Sequence, residues 1–339
     1  MRRPAFYRLL AIIAALSLLA SGCRRPSSIP RSLTDADFRA LMESLSESAG
    51  RFDISDNLVS NEPRVAENAR WISGSGGAYI GVGPEQNFTY IAQSRPDIAF
   101  VIDIRRENRN LHLLYKALFE LSRDRADFVS MLFSRLRPPD LSSRASVDAV
   151  FDAFDRVLPS AALLAQTASL IRAKLMDGHG LQLTSEDMDD IQRALKAFFD
   201  AGPAIDFWGS RKADSRSLRP SYRKLMTMVD NTGQTRSFLS SERVFAFVKD
   251  LQARNLIVPV VGDFGGAGVI RRVGTYLSEH GAVVRTFYGS NVPVYLTVQQ
   301  NHVYCGYLAS LPAARGASYV DNDSVRPLRA KLEDCSRLR

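Results

Sequence analysis

The residues with the clearest chemical potential lie in the segment 76–110, where a glycine turn and an acid each follow a short apolar run. The first run, 78–82, ends at Gly83, and the second run, 98–102, ends at Asp103. A strand–turn–helix–strand unit of this kind commonly holds nucleosides. The helix N-terminus and bare backbone approach the ligand, and the acid accepts hydrogen bonds from the ribose hydroxyls. The pattern therefore predicts a nucleoside site with Asp103 on the ribose.

The turn itself, Gly-Val-Gly-Pro-Glu-Gln, does not match the full GxGxxG pattern of dinucleotide sites. Glu85 stands where a helix begins, and a carboxylate there repels a pyrophosphate. The turn therefore argues against a dinucleotide and leaves room for a cationic ligand such as S-adenosylmethionine. The alternative is an ordinary turn of a doubly wound sheet, with Asp103 only capping the next helix.

Polar residues also follow two later apolar runs. The run 256–261 leads into Asp263, and the run 283–288 leads into Gly-Ser and Asn291. Ligands of open α/β sheets bind at the carboxyl ends of the strands. We therefore expect these residues to meet the glycine turn in one cleft, although Asp263 could serve only to cap its own helix.

The order of these patterns predicts an α/β fold. We expect a Rossmann-like domain over 51–330, with a mainly parallel sheet and helices on both faces. Helical periodicity without strands, including the segment 141–200, predicts a helical insertion at about 124–250. Before the domain, a helix is expected to begin at Thr34 or Asp35, either of which is a good N-cap.

The N-terminus predicts export and a lipid anchor. Residues 1–22 combine three arginines with an apolar stretch that is too short to span a bilayer, and they end in Ala-Ser-Gly before Cys23. This ending resembles a bacterial lipobox. We expect a signal peptide over 1–22, lipidation of Cys23, a tether and one helix over 23–50, and a location in the cell envelope on the membrane surface. An ordinary signal peptide or an uncleaved anchor is the alternative.

The composition indicates which ligands and partners to expect. The formal net charge is +8, but the basic residues are dispersed and not interleaved with aromatic residues, so no specific nucleic-acid binding is expected. The four histidines are scattered and no metal-ligand spacing occurs. Cys305 and Cys335 could form a disulfide in an oxidising compartment or remain two thiols. We expect them to lie close enough to bridge.

Longer phrases of the sequence resemble a family. They are DNLVSNE (56–62), YIGVGPEQNFTYIA (79–92), IDIRRENRNLHLLYKALFELSRDRADF (102–128) and ARNLIVPVVGDFGG (253–266). They are similar to an uncharacterised bacterial family whose members look like S-adenosylmethionine-dependent methyltransferases in fold. At 293–294 the chain has Pro-Val where that family tends to carry Glu-Gln.

The resemblance implies a set of site residues from these phrases and from the strand ends. They are Asn57, Asn61, Glu62, Gly81, Gly83, Glu85, Gln86, Asn87, Tyr90, Asp103, Asp263, Tyr288 and Asn291. Within this set, the expected cofactor-binding residues are Gly81, Gly83, Gln86, Asn87, Tyr90, Asp103 and Asp263.

Three functions are compatible with these residues. A methyltransferase-like enzyme would use Glu85 as partner of the cation or proton, with Asn57 and Asn291 orienting the acceptor. A non-catalytic, surface-anchored binding protein derived from the same fold is the second hypothesis. A hydrolase or transferase using Glu85 and Asp263 as a carboxylate pair is the third.

Overall fold

Six strands form a single sheet in the computed structural model, which describes residues 28–52, 54, 57–72, 74–208 and 219–337. In chain order they are β1 (Ala78–Val82), β2 (Ile98–Asp103), β3 (Ile257–Val261), β4 (Val284–Tyr288), β5 (Ala313–Val320) and β6 (Val325–Pro327). Their spatial order is β3-β2-β1-β4-β5-β6; β1 to β5 are parallel and β6 is antiparallel to β5. Doubly wound nucleotide-binding sheets have this order. The predicted α/β, Rossmann-like fold is therefore confirmed.

Helices surround this sheet. The chain steps from β1 to β2 to β3 in one direction and from β3 to β4 to β5 in the other, and right-handed connections then place the two groups of helices on opposite faces. The helices of the described residues are α1 (Asp35–Leu45), α2 (Val65–Trp71), α3 (Gln86–Ser94), α4 (Arg106–Leu121), α5 (Arg125–Phe133), α6 (Val147–Asp155), α7 (Ala161–Arg172), α8 (Ser185–Ala201), α9 (Tyr222–Thr227), α10 (Glu242–Ala253), α11 (Val269–Glu279), α12 (Val292–Tyr295), α13 (Val298–Ser310) and α14 (Leu328–Cys335), with a π-helical turn (Ala173–Gly178) and a 3-10 turn (Gly202–Ala204).

The central strands are recognisable in the sequence because they are covered on both faces. Every residue of β2 (Ile-Ala-Phe-Val-Ile-Asp) and of β3 (Ile-Val-Pro-Val-Val) is buried, and such strands need apolar side chains at almost every position. Strands β5 and β6 were not predicted. Strand β5 reads Ala-Ala-Arg-Gly-Ala-Ser-Tyr-Val and exposes Arg315 and Gly316, so it has neither a continuous apolar run nor a clean alternation.

The described chain between β2 and β3 contributes no strand to the sheet. The segment 141–200 contains α6, α7, the π-helical turn and α8, with non-helical connections at 156–160 and 179–184. Helix α8 is tied to α4 by a buried carboxylate: Asp187 accepts two hydrogen bonds from the Arg106 guanidinium, at 2.7 and 2.8 Å. This ion pair holds the helical segment against the helix that follows β2.

Helix α1 runs along the sheet from the amino ends of the strands to their carboxyl ends. Thr34 is its N-cap, as predicted, and accepts a hydrogen bond from a backbone N–H of the first turn. Just before α1, the Leu33 N–H donates to the Arg254 carbonyl, close to the start of β3. Just after α1, the Glu47 N–H donates to the carbonyl of Val261, the last residue of β3. The residues after α1 are thereby delivered to the carboxyl edge of the sheet.

The described chain begins at the opposite edge. Both the N–H and the hydroxyl of Ser28 donate to the His280 carbonyl, at 2.8 and 3.1 Å, and His280 lies just before β4 begins. The predicted signal peptide and Cys23 lie outside the described residues. Among the residues that the structure describes, none of the helices is both long and apolar enough to cross a bilayer.

A disulfide closes the C-terminal part of the chain. Cys305 on α13 and Cys335 on α14 are bonded, with Cα atoms 5.6 Å apart. The prediction that these two residues can bridge is confirmed. The bond pins α14, which packs on β5 and β6, to the helix that connects β4 with β5.

Replacing both cysteines, Cys305→Ala together with Cys335→Ala, should lower the free energy of unfolding by about 3–4 kcal/mol, the entropic gain of closing a loop of this length. Urea unfolding of the oxidised wild type and of the double variant measures the difference. An unchanged unfolding midpoint would contradict a structural role for the bond.

Candidate functional site

A cleft opens at the carboxyl edge of the sheet, where the strand order reverses between β1 and β4. In open α/β sheets this switch point is the usual ligand site. The cleft has a volume of about 210 Å³. Its lining residues come from the ends of β1 to β4, from the segment 51–62 and from the region of α12: Arg51, Phe52, Asn57, Ser60, Asn61, Glu62, Val82, Gly83, Pro84, Gln86, Asp103, Ile104, Arg105, Phe207, Gly262, Asp263, Phe264, Tyr288, Ser290, Asn291, Val292, Tyr295, Leu296 and Gln300.

The structure brings most of the expected site residues together at this cleft. Those that line it are Asn57, Asn61, Glu62, Gly83, Gln86, Asp103, Asp263, Tyr288 and Asn291. The others lie behind its wall: Gly81, Glu85, Asn87 and Tyr90. These four do not line the cleft, and each has a structural reason for its position.

Asn87 holds the glycine turn from behind. Its side-chain NH2 group lies within hydrogen-bonding distance of three successive carbonyls, those of Val82, Gly83 and Pro84, at 2.9, 3.0 and 2.7 Å. Its side-chain oxygen accepts from the Tyr79 hydroxyl at 2.8 Å. A buried carbonyl without a partner is costly, so the amide satisfies the turn and has no capacity left for a ligand.

Gly81 and Tyr90 also serve packing. A β-carbon at Gly81 would lie 2.1 Å from the Asn87 side-chain oxygen and 2.5 Å from the Tyr79 hydroxyl, so only glycine leaves room for their hydrogen bond. Tyr90 is fully buried, and its hydroxyl points towards Glu62 at 3.4 Å. Tyr90 therefore supports a residue of the cleft wall without reaching the cleft.

Glu85 is turned away from the cleft. Its carboxylate accepts from the Ser60 backbone N–H at 3.1 and 3.2 Å and is fully buried. Burial raises the pKa of Glu85 to about 8, and the nearby Glu62 carboxyl adds to the rise. Glu85 is therefore mostly protonated at neutral pH, and its position behind the cleft wall does not favour the expected role as the catalytic partner of a ligand. It instead joins the glycine turn to the segment 57–62.

Asp103 lies at the end of β2, as expected, but its carboxylate is hydrogen-bonded to Arg105. One carboxylate oxygen accepts from the Arg105 backbone N–H at 2.9 Å and from its Nε at 3.0 Å, and the other accepts from its Nη2 at 3.0 Å. These bonds use three of roughly four acceptor positions of a carboxylate. The Arg105 guanidinium also lies 5.7 Å from the Phe52 ring centre. Asp103 therefore keeps one acceptor position for a ligand and also positions Arg105 at the cleft.

The remaining predicted residues are placed by local bonds. Asp263 accepts from the Gly265 N–H at 2.9 Å in a local turn and lines the cleft, whereas Gly268 is the N-cap of α11, so the alternative that Asp263 caps this helix is wrong. Asn291 directs its side-chain NH2 group towards the Tyr295 hydroxyl at 3.5 Å. Asn57 takes a left-handed backbone conformation with φ of 47°.

Glu62 is among the site residues implied by the family resemblance, but no specific role was predicted for it. It lines the cleft yet is only 1% exposed, and the hydroxyls of Tyr288 and Ser290 both donate to its Oε1, the latter at 2.6 Å. Burial raises the pKa of Glu62 to about 6, against the opposing effect of these hydrogen bonds. The only sequence signal was its place in the DNLVSNE phrase, because its partners lie more than 220 residues away.

Gln86 contributes an acceptor without a partner. Its NH2 group donates to the Tyr288 hydroxyl at 2.7 Å and to the Val82 carbonyl at 3.3 Å, which fixes the orientation of the amide. Its Oε1 is buried and has no hydrogen-bond partner among the described residues. Buried acceptors are nearly always satisfied. A ligand that donates a hydrogen bond at this wall would complete the site.

Taken together, the wall is rich in acceptors. Glu62, Asp103 and Asp263 line the cleft together with Gln86, whose buried amide oxygen has no partner among the described residues. Within the described ranges, no group of three or more His, Cys, Asp or Glu side chains could hold a metal ion. The arrangement suits a ligand with several hydroxyl groups or a positive charge.

Comparison with known proteins identifies the family but no activity. Residues 57–137 and 180–321 match a domain of unknown function, DUF7790, so the chain belongs to that family. The matched ranges contain β1 to β5 and the cleft residues from Asn57 onwards; α6, α7 and the π-helical turn fall between them. Curated protein sequences give no significant match to the chain.

The raised pKa of Glu85 should make the free energy of unfolding depend on pH. Because the pKa rises from its ordinary 4.5 to about 8 on folding, the folded protein should lose stability as the pH increases through that window. The loss amounts to roughly 5 kcal/mol. In Glu85→Gln most of this pH-dependent loss should disappear and the smaller part due to Glu62, whose pKa is raised to about 6, should remain, as measured by urea unfolding between pH 4.5 and 9. The exposed Glu279→Gln is the charge control; equal pH dependence in both variants and the wild type would contradict the buried acid.

Proposed function

We propose that this member of a family of unknown function binds a nucleoside-type ligand in the cleft, with S-adenosylmethionine as the first candidate, and acts as a methyltransferase-like enzyme. The observation that carries the proposal is the acceptor-rich wall at the switch point, above all the buried, unpartnered Oε1 of Gln86 beside Glu62. A ribose or an ammonium group supplies the donors that this wall lacks.

The charge of the cleft favours a nucleoside with a positive charge over a dinucleotide. Carboxyl groups outnumber the two arginines, Arg51 and Arg105, among the lining residues, and Arg105 is already paired with Asp103. A sulfonium cation fits this balance better than a pyrophosphate, whose charge would meet three acids.

A second candidate is a binding protein without catalysis. The observation that favours it is the Asp103–Arg105 pair, which occupies most of the carboxylate that would take a ribose. In addition, an exported protein would meet little S-adenosylmethionine outside the cytoplasm. Turnover, rather than binding, separates the two candidates.

Binding by calorimetry tests the proposal. S-adenosylmethionine should bind the purified protein, while NAD and ATP should bind at least tenfold more weakly because their phosphates meet the acidic wall. Asp103→Asn should weaken S-adenosylmethionine binding by about 1–3 kcal/mol, the scale of lost hydrogen bonds to a charged group. Asp250→Asn, an exposed site on α10, is the matched control. Equal binding of all nucleotides, or none of S-adenosylmethionine, would refute the proposal.

We also propose that a lipid anchor at Cys23 holds the protein on the membrane surface of the cell envelope. The support is the Leu-Ala-Ser-Gly-Cys ending of the apolar segment, together with the Cys305–Cys335 disulfide, which suits an oxidising compartment.

Metabolic labelling with a fatty-acid analogue tests the anchor. Label should appear in the wild-type protein and in the membrane fraction, and Cys23→Ala should abolish both. Cys305→Ala with Cys335→Ala should keep the label, because those cysteines are not the acceptor. Label retained in Cys23→Ala would show that the anchor lies elsewhere.

A further inference from the structure

We propose that Glu62 is the general base of this cleft and that the acceptor substrate presents a neutral hydroxyl group to it. The inference rests on the proposed methyl transfer and names the base and the substrate class for it. Glu85, the base expected from the sequence, is excluded from the cleft, so the role falls to another carboxyl group.

A residue with an unusual backbone conformation holds the Glu62 side chain in place. Ser290, which donates to Glu62 Oε1, has a left-handed backbone with φ of 47°, a conformation rare for serine. Strained residues of this kind concentrate at functional sites. Ser290 also contacts the Asn322 side-chain oxygen at 2.9 Å, so the hydroxyl is located by both β4 and the loop after β5.

The carboxylate keeps an open acceptor position. Its Oε1 receives the Tyr288 and Ser290 hydroxyls, whereas its Oε2 has only the long contact of 3.4 Å from Tyr90. Gln86 in turn donates to the Tyr288 hydroxyl and orients it towards Glu62. The Glu62 carboxylate, which lines the cleft, therefore keeps acceptor capacity for the proton of a bound hydroxyl group.

The protonation states of the two buried acids separate their roles. A pKa of about 6 leaves Glu62 mostly ionised at pH 7 and close to the ideal for a base near neutral pH, whereas the pKa of about 8 leaves Glu85 protonated. Asp103 is held by Arg105, so its carboxylate is not a free base. Glu62 is thus the cleft acid best suited to take up a proton.

The step balances with the sulfonium methyl donor. The acceptor oxygen attacks the methyl carbon, the C–O bond forms, and the C–S bond breaks to leave a neutral thioether. The hydroxyl proton passes to the Glu62 carboxylate and then to water. A carboxylate substrate would be repelled by Glu62, and an amine needs its help less, which is why a neutral hydroxyl is the substrate class.

The test uses S-adenosylmethionine with a tritiated methyl group and three hydroxyl probes: glycerol, ribose and catechol. The wild type should methylate at least one of them, with a rate that rises about tenfold per pH unit up to pH 6 and then levels off. Glu62→Gln should still bind S-adenosylmethionine and stay folded. Its rate should fall 100-fold or more, with no inflection near pH 6. Glu43→Gln, exposed on α1, is the charge control.

The outcomes distinguish the two proposals. If S-adenosylmethionine does not bind the wild type, the proposed function is wrong. If it binds but no hydroxyl probe is methylated, or Glu62→Gln keeps the wild-type rate and pH profile, the assignment of Glu62 is wrong while the ligand proposal stands.

A second inference concerns orientation on the membrane: we propose that the cleft opens away from the bilayer. It rests on the proposed anchor at Cys23. Four residues lie between Cys23 and Ser28, and the five peptide steps that join them reach at most about 18 Å whatever their conformation. Ser28 is bonded to the His280 carbonyl at the amino edge of the sheet, and the cleft lies at the carboxyl edge. A tether this short brings the amino edge to the membrane.

Amide hydrogen exchange of the lipidated protein on vesicles, compared with Cys23→Ala protein in solution, tests this orientation. Vesicles should protect 28–33 and 280–283 and leave 51–62 and 291–300 unchanged. Protection of the cleft segments would overturn the orientation while leaving the anchor intact.

Discussion

The cleft depends on how the turn after β1 is held. The Gly83 carbonyl receives three side-chain donors: Asn87 at 3.0 Å, Asn108 at 3.2 Å and His112 at 2.9 Å. These donors come from α3 and α4, so one peptide oxygen joins the end of β1 to two helices. Burial lowers the pKa of His112 to about 4, which keeps its ring neutral. Because these buried side chains satisfy the Gly83 carbonyl, the turn needs no hydrogen bond to it from Gln86, which lines the cleft.

Buried acids give the site its chemical character. Both acids hold the segment 60–62 in place. Glu85 accepts a hydrogen bond from the Ser60 backbone N–H, and Glu62, which belongs to the segment, accepts one from the Tyr288 hydroxyl on β4. Loss of hydration raises the pKa of both, to about 8 and about 6. Near pH 7, Glu85 is therefore a neutral structural group, whereas Glu62 at the cleft is negatively charged and can accept a hydrogen bond from a ligand.

Much of the fold and part of the site follow from the sequence in physical terms. Strands buried on both faces must be apolar, so β2 and β3 and their polar ends at Asp103 and Asp263 were recognisable. The direction of the Glu85 side chain at the turn could not be predicted, because it depends on the backbone N–H of Ser60, which belongs to a segment folded over the turn. No role was predicted for Glu62 for a similar reason: its role arises only when β4 is placed beside β1.

The central claim is that the cleft binds a nucleoside through the acceptors of its wall, and a crystal structure of the protein grown with S-adenosylmethionine tests it most directly. The account predicts ligand density at the switch point between β1 and β4, with a ligand donor on Gln86 Oε1 and its charged or hydroxyl-bearing part near Glu62. Well-ordered ligand elsewhere on the protein, or an empty cleft at saturating concentration, would contradict it.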